Sequence, residues 1–327
     1  WRSKGKPGKS KFFGRIKGYH GVNYGGVGVG GIGFNRKLFG QSVDADHMCD
    51  TLLDENKFSR GMPAVGAHLA DELEQLVLLH DASNIAAVIV EPLSGTAGVL
   101  PPPVGYLNRL REICDKHDLL LIFDEVITGF MRTGNMFGCE TYDIQPDLIS
   151  IAKALSSAYL PIGGVMMTNE VYDVLREGGD KFGMWNTGYT YSGHPVCASV
   201  ALETLKIYEE RDLLGHVRSV MGTFQEQFAQ FADHPLVGEV RGAGLFAAME
   251  LTPDVENKGT FDPARRVAFQ MNAFAQKHGL IMRALPSDSV ALCPPLIITE
   301  DEIGMCMERA GKALDDIWQW VQDKELV

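Results

Sequence analysis

The fold class follows from the stretch Ile85-Ala86-Ala87-Val88-Ile89-Val90-Glu91, a continuous apolar run that ends in an acid. Two similar runs follow it, Leu119 to Glu125 and Asp147 to Lys153. Continuous apolar runs of this length are typical of strands that are covered on both faces. The stretch therefore predicts the first of several buried parallel strands.

Helical segments separate these strands. After the breaker Pro101-Pro102-Pro103, apolar residues recur at helical spacing from Leu107 to His117. The segment Gly163 to Thr168 predicts a further strand. Strands that alternate with helices indicate parallel β-α-β units, so we expect an α/β fold with a mostly parallel sheet covered by helices.

The second half of the chain has a different pattern. A helical stripe from Ala198 to Tyr208 leads out of the sheet domain. Beyond it we expect a strand pair, a helix, a short strand and a final helix, in the order Leu236–Arg241, Gly244–Leu251, Arg265–His278, Leu280–Arg283 and Ile303–Val321. We therefore predict a large cofactor-binding domain over residues 1–212 and a smaller α+β domain over residues 213–327.

Composition excludes several classes of protein. The 327 residues are 45% hydrophobic and 22% charged, as in a globular enzyme. Thirty basic and 42 acidic side chains give a net charge of −12, which disfavours nucleic acid as a partner. No apolar run is long enough to span a bilayer, and six scattered cysteines without metal-ligand spacing indicate reduced thiols. We expect no metal, no membrane association and a cytoplasmic location.

Two nucleotide-binding motifs occur near the N-terminus in unsuitable contexts. Gly28-Val29-Gly30-Gly31-Ile32-Gly33 matches the dinucleotide pattern, but we expect neither an apolar strand before it nor a helix after it. Gly8-Lys9-Ser10 resembles the end of a P-loop, but Ser3 stands where that motif requires glycine. A dehydrogenase and a nucleotide hydrolase remain distant alternatives.

Three successive strands end in Glu91, Asp124 and Lys153. Ligands of open parallel sheets bind at the carboxyl ends of strands, so these side chains should converge on one crevice. A lysine there could extend to solvent, and the aspartate could cap a turn. Together, however, they suit pyridoxal phosphate, with the lysine forming a Schiff base and the carboxylate holding the pyridine nitrogen protonated.

Three motifs now identify a resemblance. They are Ile122-Phe123-Asp124-Glu125-Val126-Ile127-Thr128-Gly129-Phe130, Ala152-Lys153 with Pro161-Ile162-Gly163-Gly164, and Gly188-Tyr189-Thr190-Tyr191-Ser192-Gly193-His194-Pro195. Their order and spacing resemble those of class III pyridoxal-phosphate aminotransferases over essentially the whole chain. The resemblance implies the type I fold of pyridoxal-phosphate enzymes.

The resemblance also implies residue roles. Lys153 would carry the cofactor and move the substrate proton, and Asp124 would pair with the pyridinium nitrogen. Val126 would pack on one ring face, while Tyr19 and His20, from Gly18-Tyr19-His20-Gly21, would bind the cofactor, with Tyr19 on the other face. The segment Tyr189-Thr190 would reach the phosphate in a neighbouring subunit, which implies a homodimer or a dimer of dimers with shared sites.

Substrate residues follow from the same resemblance. Glu91 matches a glutamate on the substrate side of the cofactor, and Arg283 resembles a mobile arginine that receives a substrate carboxylate. The arginine that ornithine- and 4-aminobutyrate-type relatives carry before the Pro-Pro pair is missing from Val290-Ala291-Leu292-Cys293-Pro294-Pro295. This favours an ω-amino-acid:pyruvate or β-alanine:pyruvate transaminase, which takes its amino group from an ω-amino acid or amine.

Other outcomes remain open at this point. The same lysine and aspartate would serve a racemase, an aminomutase or a decarboxylase. Family members also begin well upstream of Trp1 with a phosphate-binding loop, so a chain that truly began there would bind the cofactor weakly and have little activity. An inactive fragment is therefore a further alternative.

Overall fold

The computed structural model describes residues 1–185, 187–257 and 259–327. Within those residues, the larger sheet has six strands in the order β2-β1-β3-β4-β5-β6. The strands are β1 (Lys11–Arg15), β2 (Ala45–Met48), β3 (Ile85–Val90), β4 (Leu120–Asp124), β5 (Leu148–Ile151) and β6 (Gly164–Met167). The three apolar runs of the sequence thus form the adjacent strands β3, β4 and β5.

Strands β1 to β5 are parallel, as predicted, but β6 runs antiparallel to β5. The strand predicted at Gly163 to Thr168 is therefore confirmed as β6, and its direction is a finding of the structure. A parallel return requires a long crossover, usually a helix. The connection between β5 and β6 contains only a 3₁₀ turn, Lys153–Leu155, so the chain folds straight back.

Helices cover this sheet and lead away from it. Helix α4 has five buried residues, among them Leu110 and Ile113, on one face, as its helical periodicity predicts. The helices up to the end of this region are α1 (Tyr24–Val29), α2 (Gly33–Phe39), α3 (Glu72–His80), α4 (Tyr106–Lys116), α5 (Gly138–Thr141), α6 (Asn169–Phe182) and α7 (Pro195–Glu210).

The second sheet is antiparallel, with its described strands in the order β7-β8-β10-β9. Its strands are β7 (Val237–Ala243), β8 (Phe246–Leu251), β9 (Arg283–Leu285) and β10 (Ser289–Leu292). Three helices accompany it, α8 (Leu213–Ala229), α9 (Val267–Lys277) and α10 (Glu300–Asp323). Thr299 and Glu302 form a capping box that begins α10.

Two hydrophobic cores hold the molecule together. One lies mainly between α8, α9, α10 and the second sheet. The other covers the parallel sheet and also includes Phe246, Ala248, Leu285 and Ala291 from the second sheet. The two sheets therefore share apolar contacts, and the domain boundary between residues 212 and 213 stays a prediction.

The glycine motif at Gly28 to Gly33 joins α1 to α2. Our expectation that no helix follows it was wrong, but α2 has no buried residue within its described length. The preceding strand, β1, ends at Arg15, so the strand-loop-helix context of a dinucleotide site does not occur there. In the described part of the chain, no helix is both long enough and apolar enough to cross a membrane.

Candidate active site

The candidate site lies where four parallel strands end at the same edge of the large sheet. Val90 pairs with Phe123, and Asp124 pairs with Ser150. This register places Glu91 beside Asp124, and it places Lys153 shortly after the end of the next strand. The chain that leaves β1 brings Tyr19 and His20 to the same edge. Strand order and register therefore bring together residues that are distant in sequence.

Asp124 is held by two hydrogen bonds. His20 donates from Nδ1 to Oδ2 over 2.9 Å, and the backbone N–H of Val126 donates to Oδ1 over 3.1 Å. The carboxylate is largely buried, and the His20 side chain is only 3% exposed. Because each carboxylate oxygen has a fixed donor, the orientation of the carboxylate is set by the fold.

Glu91 is a second buried acid at this edge. Its Oε1 accepts from the N–H of Tyr19 over 3.1 Å, and its Oε2 accepts from the N–H of Gly95 over 2.9 Å. Burial raises the pKa of Glu91, while nearby His20 and the two N–H groups oppose that rise. Two acids therefore share one edge of the sheet with a single histidine.

Lys153 follows β5 with a φ of 43°, in the left-handed region that side chains rarely adopt. Its side chain reaches the surface, yet partial burial lowers the pKa of its ammonium group. The negative charges of Asp124 and Glu91 act in the opposite direction. The result is an amine that is close to two carboxylates and loses its proton more readily than a solvated lysine.

The second sheet contributes two residues to the surroundings of Lys153. Arg283 at the start of β9 lowers the pKa of Lys153, and Cys293 after β10 raises it, so both lie within electrostatic range of the amine. Arg283 is exposed and lies opposite Ala291 in the antiparallel register. A guanidinium at this position can bind a carboxylate that approaches the lysine.

Of the other predicted site residues, two lie next to Asp124 and two lie in an exposed segment. Tyr19 and Val126 are half-buried next to the Asp124 cluster. Tyr189 is 87% exposed and Thr190 is also exposed, and the Tyr189 N–H donates to Ser192 Oγ over 2.9 Å. Among the contacts described, none joins Tyr189 or Thr190 to Lys153 or Asp124. Their predicted role toward a second subunit stays a prediction.

Sequence reasoning missed a buried arginine beneath the site. Arg15 is 2% exposed, and its Nη2 donates to the carbonyl of Glu91 over 2.8 Å and to Ser94 Oγ. Its guanidinium lies 5.7 Å from the ring centre of Tyr106. A sequence signal for Arg15 was available. This arginine ends the run Phe12-Phe13-Gly14-Arg15, just as Glu91 follows the apolar residues of its strand.

Glu125 was named in the sequence but given no role. It is fully buried and accepts from the N–H groups of Gly138 over 2.8 Å and Cys139 over 2.6 Å, and from the Thr128 hydroxyl. It therefore ties the turn after Asp124 to the start of α5. Its function is to hold the Asp124 turn in place.

The residues of this cluster fit pyridoxal phosphate. Lys153 provides an amine that burial makes easier to deprotonate, as Schiff-base formation with an aldehyde requires. Asp124 provides an oriented carboxylate for a protonated ring nitrogen. In the described residues, no group of histidine, cysteine, aspartate or glutamate is arranged to hold a metal ion.

Known proteins resemble this chain in sequence and in structure. A family model, aminotransferase class-III, matches residues 1–314. An omega-aminotransferase of Caulobacter vibrioides is 45% identical over 320 residues, which cover 97% of this chain and 71% of the relative. A beta-alanine–pyruvate aminotransferase of Pseudomonas aeruginosa is 42% identical over 323 residues, which cover 97% of this chain and 70% of the relative.

A solved structure gives the same result. The omega transaminase of Pseudomonas jessenii in complex with PMP superposes with a TM-score of 0.92 at 40% identity, covering 98% of this chain and 71% of that one. These matches agree with the fold and the cofactor that the sequence motifs imply. The chain belongs to the class III aminotransferases, enzymes of the type I fold that depend on pyridoxal phosphate.

Proposed function

We propose that this chain transfers an amino group from an ω-amino acid or another amine to pyruvate, using pyridoxal phosphate attached to Lys153. The observation that carries the proposal is the convergence of Lys153 and Asp124 at neighbouring strand ends, within electrostatic range of Arg283. The first two residues suit the cofactor, and the arginine suits a carboxylate substrate. Relatives named for ω-amino acids and pyruvate support the choice of substrates.

When bound, pyridoxal phosphate supplies an aldehyde for the amine and a protonated ring that accepts the electrons of a deprotonated carbon. Asp124 would pair with the protonated ring nitrogen, because its carboxylate is kept in position by His20 and Val126. Lys153 would hold the cofactor through Nζ, and the lowered pKa of its amine would favour the form that accepts a proton from the substrate carbon. Tyr19 and Val126 would lie against opposite faces of the ring.

Substrate selection is assigned to Arg283 and Glu91. Arg283 binds the carboxylate of pyruvate through its planar guanidinium. Its exposed position at the start of β9 leaves room to move aside for a donor without that carboxylate. Glu91, buried beside Asp124, would lie at the substrate side of the cofactor.

The proposed active unit is a homodimer or a dimer of dimers with shared sites. Helix α6, all of which is described, has no buried residue; Phe182 at its end and Tyr189 and Tyr191 beyond it are exposed aromatic residues. Exposed apolar patches of this kind mark protein interfaces. Thr190 lies in this exposed segment and would reach the cofactor phosphate of the neighbouring subunit.

We also propose a cytoplasmic location. All six cysteines lie in the described part of the chain and none is paired with another, which is typical of a reducing compartment.

The first test concerns the cofactor lysine. Purified protein is incubated with pyridoxal phosphate, reduced with borohydride and analysed by intact mass and peptide mapping. One reduced adduct on Lys153 is expected, which Lys153→Ala abolishes and Lys206→Ala on the exposed face of α7 preserves. An adduct that survives Lys153→Ala would refute the assignment.

The second test concerns the reaction. In the absence of pyruvate, a panel of β-alanine, 4-aminobutyrate and an arylalkylamine should each convert bound cofactor to its amino form with one carbonyl product per site. Added pyruvate should then yield alanine. A racemase, decarboxylase or aminomutase would not leave the amino group on the cofactor in that stoichiometry.

Arg283→Gln tests the acceptor assignment. Loss of a charged, bidentate contact should raise the KM for pyruvate by about 10- to 100-fold while leaving the KM for an amine without a carboxylate nearly unchanged. An equal effect on both substrates would contradict the assigned role of Arg283.

A further inference from the structure

A tight loop after β3 controls the position of the Glu91 carboxylate. The loop spans Glu91 to Leu100, and we call it the Glu91 loop. Ser94 and Leu100 close it through paired backbone hydrogen bonds of 3.0 and 2.9 Å, and the Val99 N–H donates to the Gly95 carbonyl over 3.0 Å. The Gly95 N–H in turn donates to Glu91 Oε2. A change in the loop therefore moves the donor that holds this acid.

Arg15 holds the loop from the large sheet, through the Glu91 carbonyl and Ser94. A second buried arginine reaches it from the other sheet. Arg241 on β7 is 6% exposed, and its Nε donates to the Gly98 carbonyl over 2.7 Å. One buried arginine from each sheet therefore donates hydrogen bonds to the Glu91 loop.

Two of the three guanidinium nitrogens of Arg241, Nε and Nη2, have hydrogen-bond partners, whereas the buried Nη1 has none. Its Nη2 donates to Glu250 Oε2 over 2.9 Å and to the buried Ser289 Oγ over 3.2 Å. A buried cation is costly unless it has such partners, and its planar fork fixes their relative positions. Glu250 on β8 and Ser289 on β10 therefore fix the orientation of the guanidinium that donates to the loop.

Gly98 allows this close approach. Its φ is +119°, a conformation that other residues rarely adopt, and a Cβ built there would lie 2.7 Å from Nη2 of Arg241 and 3.3 Å from Ser289 Oγ. Glycine is required both by the backbone conformation and by the space that the guanidinium fills.

We propose that Arg241 is a positioning residue for the proposed transamination: it fixes the Glu91 loop from the second sheet and thereby holds the Glu91 carboxylate next to the reacting lysine. The inference rests on the proposed function of Lys153. The second sheet then contributes to the site in two ways. Strand β7 holds the Glu91 loop through Arg241, and strand β9 carries Arg283. A shift of this sheet changes both together.

The test uses Arg241→Lys, which retains the charge but not the fork, and Gly98→Ala, which disturbs the contact and leaves Arg241 intact. The matched control is Arg111→Lys. Arg111 is also largely buried and pairs with Asp147 over 2.8 Å and Asp115 over 2.7 Å, but Asp147 lies at the opposite edge of the sheet, before β5. All variants are loaded with pyridoxal phosphate.

Two readouts separate positioning from stability. The first is the pH titration of the absorbance of cofactor bound to Lys153. A nearby negative charge stabilises the protonated form of the nitrogen that joins Lys153 to the cofactor, so a displaced Glu91 should lower the pH at which the absorbance changes. The second is kcat/KM for the amine donor, expected to fall about 10- to 100-fold in Arg241→Lys and Gly98→Ala. Arg111→Lys should change only the free energy of unfolding.

The outcomes are distinct. If Arg241→Lys and Gly98→Ala lose stability but keep the absorbance titration and kcat/KM of the control, Arg241 is only structural and the proposal is overturned. If one of the two fails to fold, the other decides. Cofactor attachment without amino transfer in the wild type overturns the proposed function alone, because the titration still tests Arg241. A wild type that attaches no cofactor overturns both.

Discussion

At the scale of single residues, the hydrogen bond between His20 and Asp124 orients the carboxylate of the candidate site. Sequence motifs assign both residues to the cofactor, but the structure places the His20 imidazole behind the Asp124 carboxylate, at 2.9 Å. The histidine therefore acts on the carboxylate that would pair with the protonated ring nitrogen. Its ring is almost entirely buried, so water does not replace it.

This contact predicts a graded response at position 20. Asparagine offers a donor near the position of Nδ1, whereas leucine offers none. Loss of a hydrogen bond to a charged acceptor costs about 1.5–3 kcal/mol, so His20→Leu should lower kcat/KM by roughly 10- to 100-fold. His20→Asn should retain more activity than His20→Leu at equal cofactor content. Equal losses in the two variants, measured in steady-state assays, would contradict a role through Asp124.

At the scale of elements, the direction of each strand decides which residues lie at the site. The parallel strands β1, β3, β4 and β5 deliver their carboxyl ends to one edge, whereas β6 turns back and delivers no predicted site residue there. Strand β7 contributes from the second sheet through Arg241, two residues after the buried Glu239. Glu239 Oε1 accepts from the N–H of Phe58 over 2.9 Å and so ties β7 to the chain that follows β2.

Glu239 predicts a pH effect on stability. Burial raises its pKa to about 7 from 4.5; Arg241 and Lys57 oppose that rise and Glu250 adds to it. Between these values the folded chain keeps a proton that the unfolded chain releases, so this group lowers the free energy of unfolding as the pH rises through that window. The loss approaches about 3 kcal/mol above the folded-state pKa.

Glu239→Gln should remove this contribution. Urea unfolding at about pH 5 and about pH 8 should show the variant gaining stability relative to the wild type as the pH rises. Glu226→Gln, on the exposed side of α8, serves as the control and should follow the wild type at both pH values. A constant difference between Glu239→Gln and wild type across the two pH values would show that the carboxyl does not titrate in this window.

At the scale of the whole molecule, a large part of the chain after β6 lies at the surface. The segment with Tyr189 and Thr190 and the whole of α6 project no side chain into the described core. A surface with this much exposed aromatic area is unfavourable in an isolated subunit. A neighbouring subunit that covers it would place Thr190 at the second site, as the proposed assembly requires.

Subunit complementation tests this arrangement. Lys153→Ala and Thr190→Ala chains, each of low activity alone, are unfolded, mixed in equal amounts and refolded together. Random pairing gives half of the dimers one chain of each kind, and each of these has one intact site, so about a quarter of the wild-type activity should return. A mixture that stays at the level of the separate variants would exclude a shared site. Size-exclusion chromatography confirms that the refolded species are dimers.

Much of the fold could be predicted from local sequence. Continuous apolar runs of this length are typical of covered strands, and they predicted β3, β4 and β5 together with the acid or lysine at the end of each. Strands β1 and β2 were missed because they are short and carry charged residues. The first strand of the second sheet was predicted at Leu236 and is observed from Val237, while the predicted Leu280–Arg283 strand is observed as Arg283–Leu285.

By itself the sequence determined the strand-end placement of Glu91, Asp124 and Lys153, because hydrophobic burial and residue order along one strand are local properties. Only the tertiary structure decided that β6 is antiparallel and that His20 donates a hydrogen bond to Asp124. It also decided that Arg15 and Arg241, from different sheets, both donate hydrogen bonds to the Glu91 loop. The contacts of Arg15, His20 and Arg241 join residues 76 to 143 positions apart. No local pattern encodes them, since they depend on strand order, register and the packing of one sheet against another.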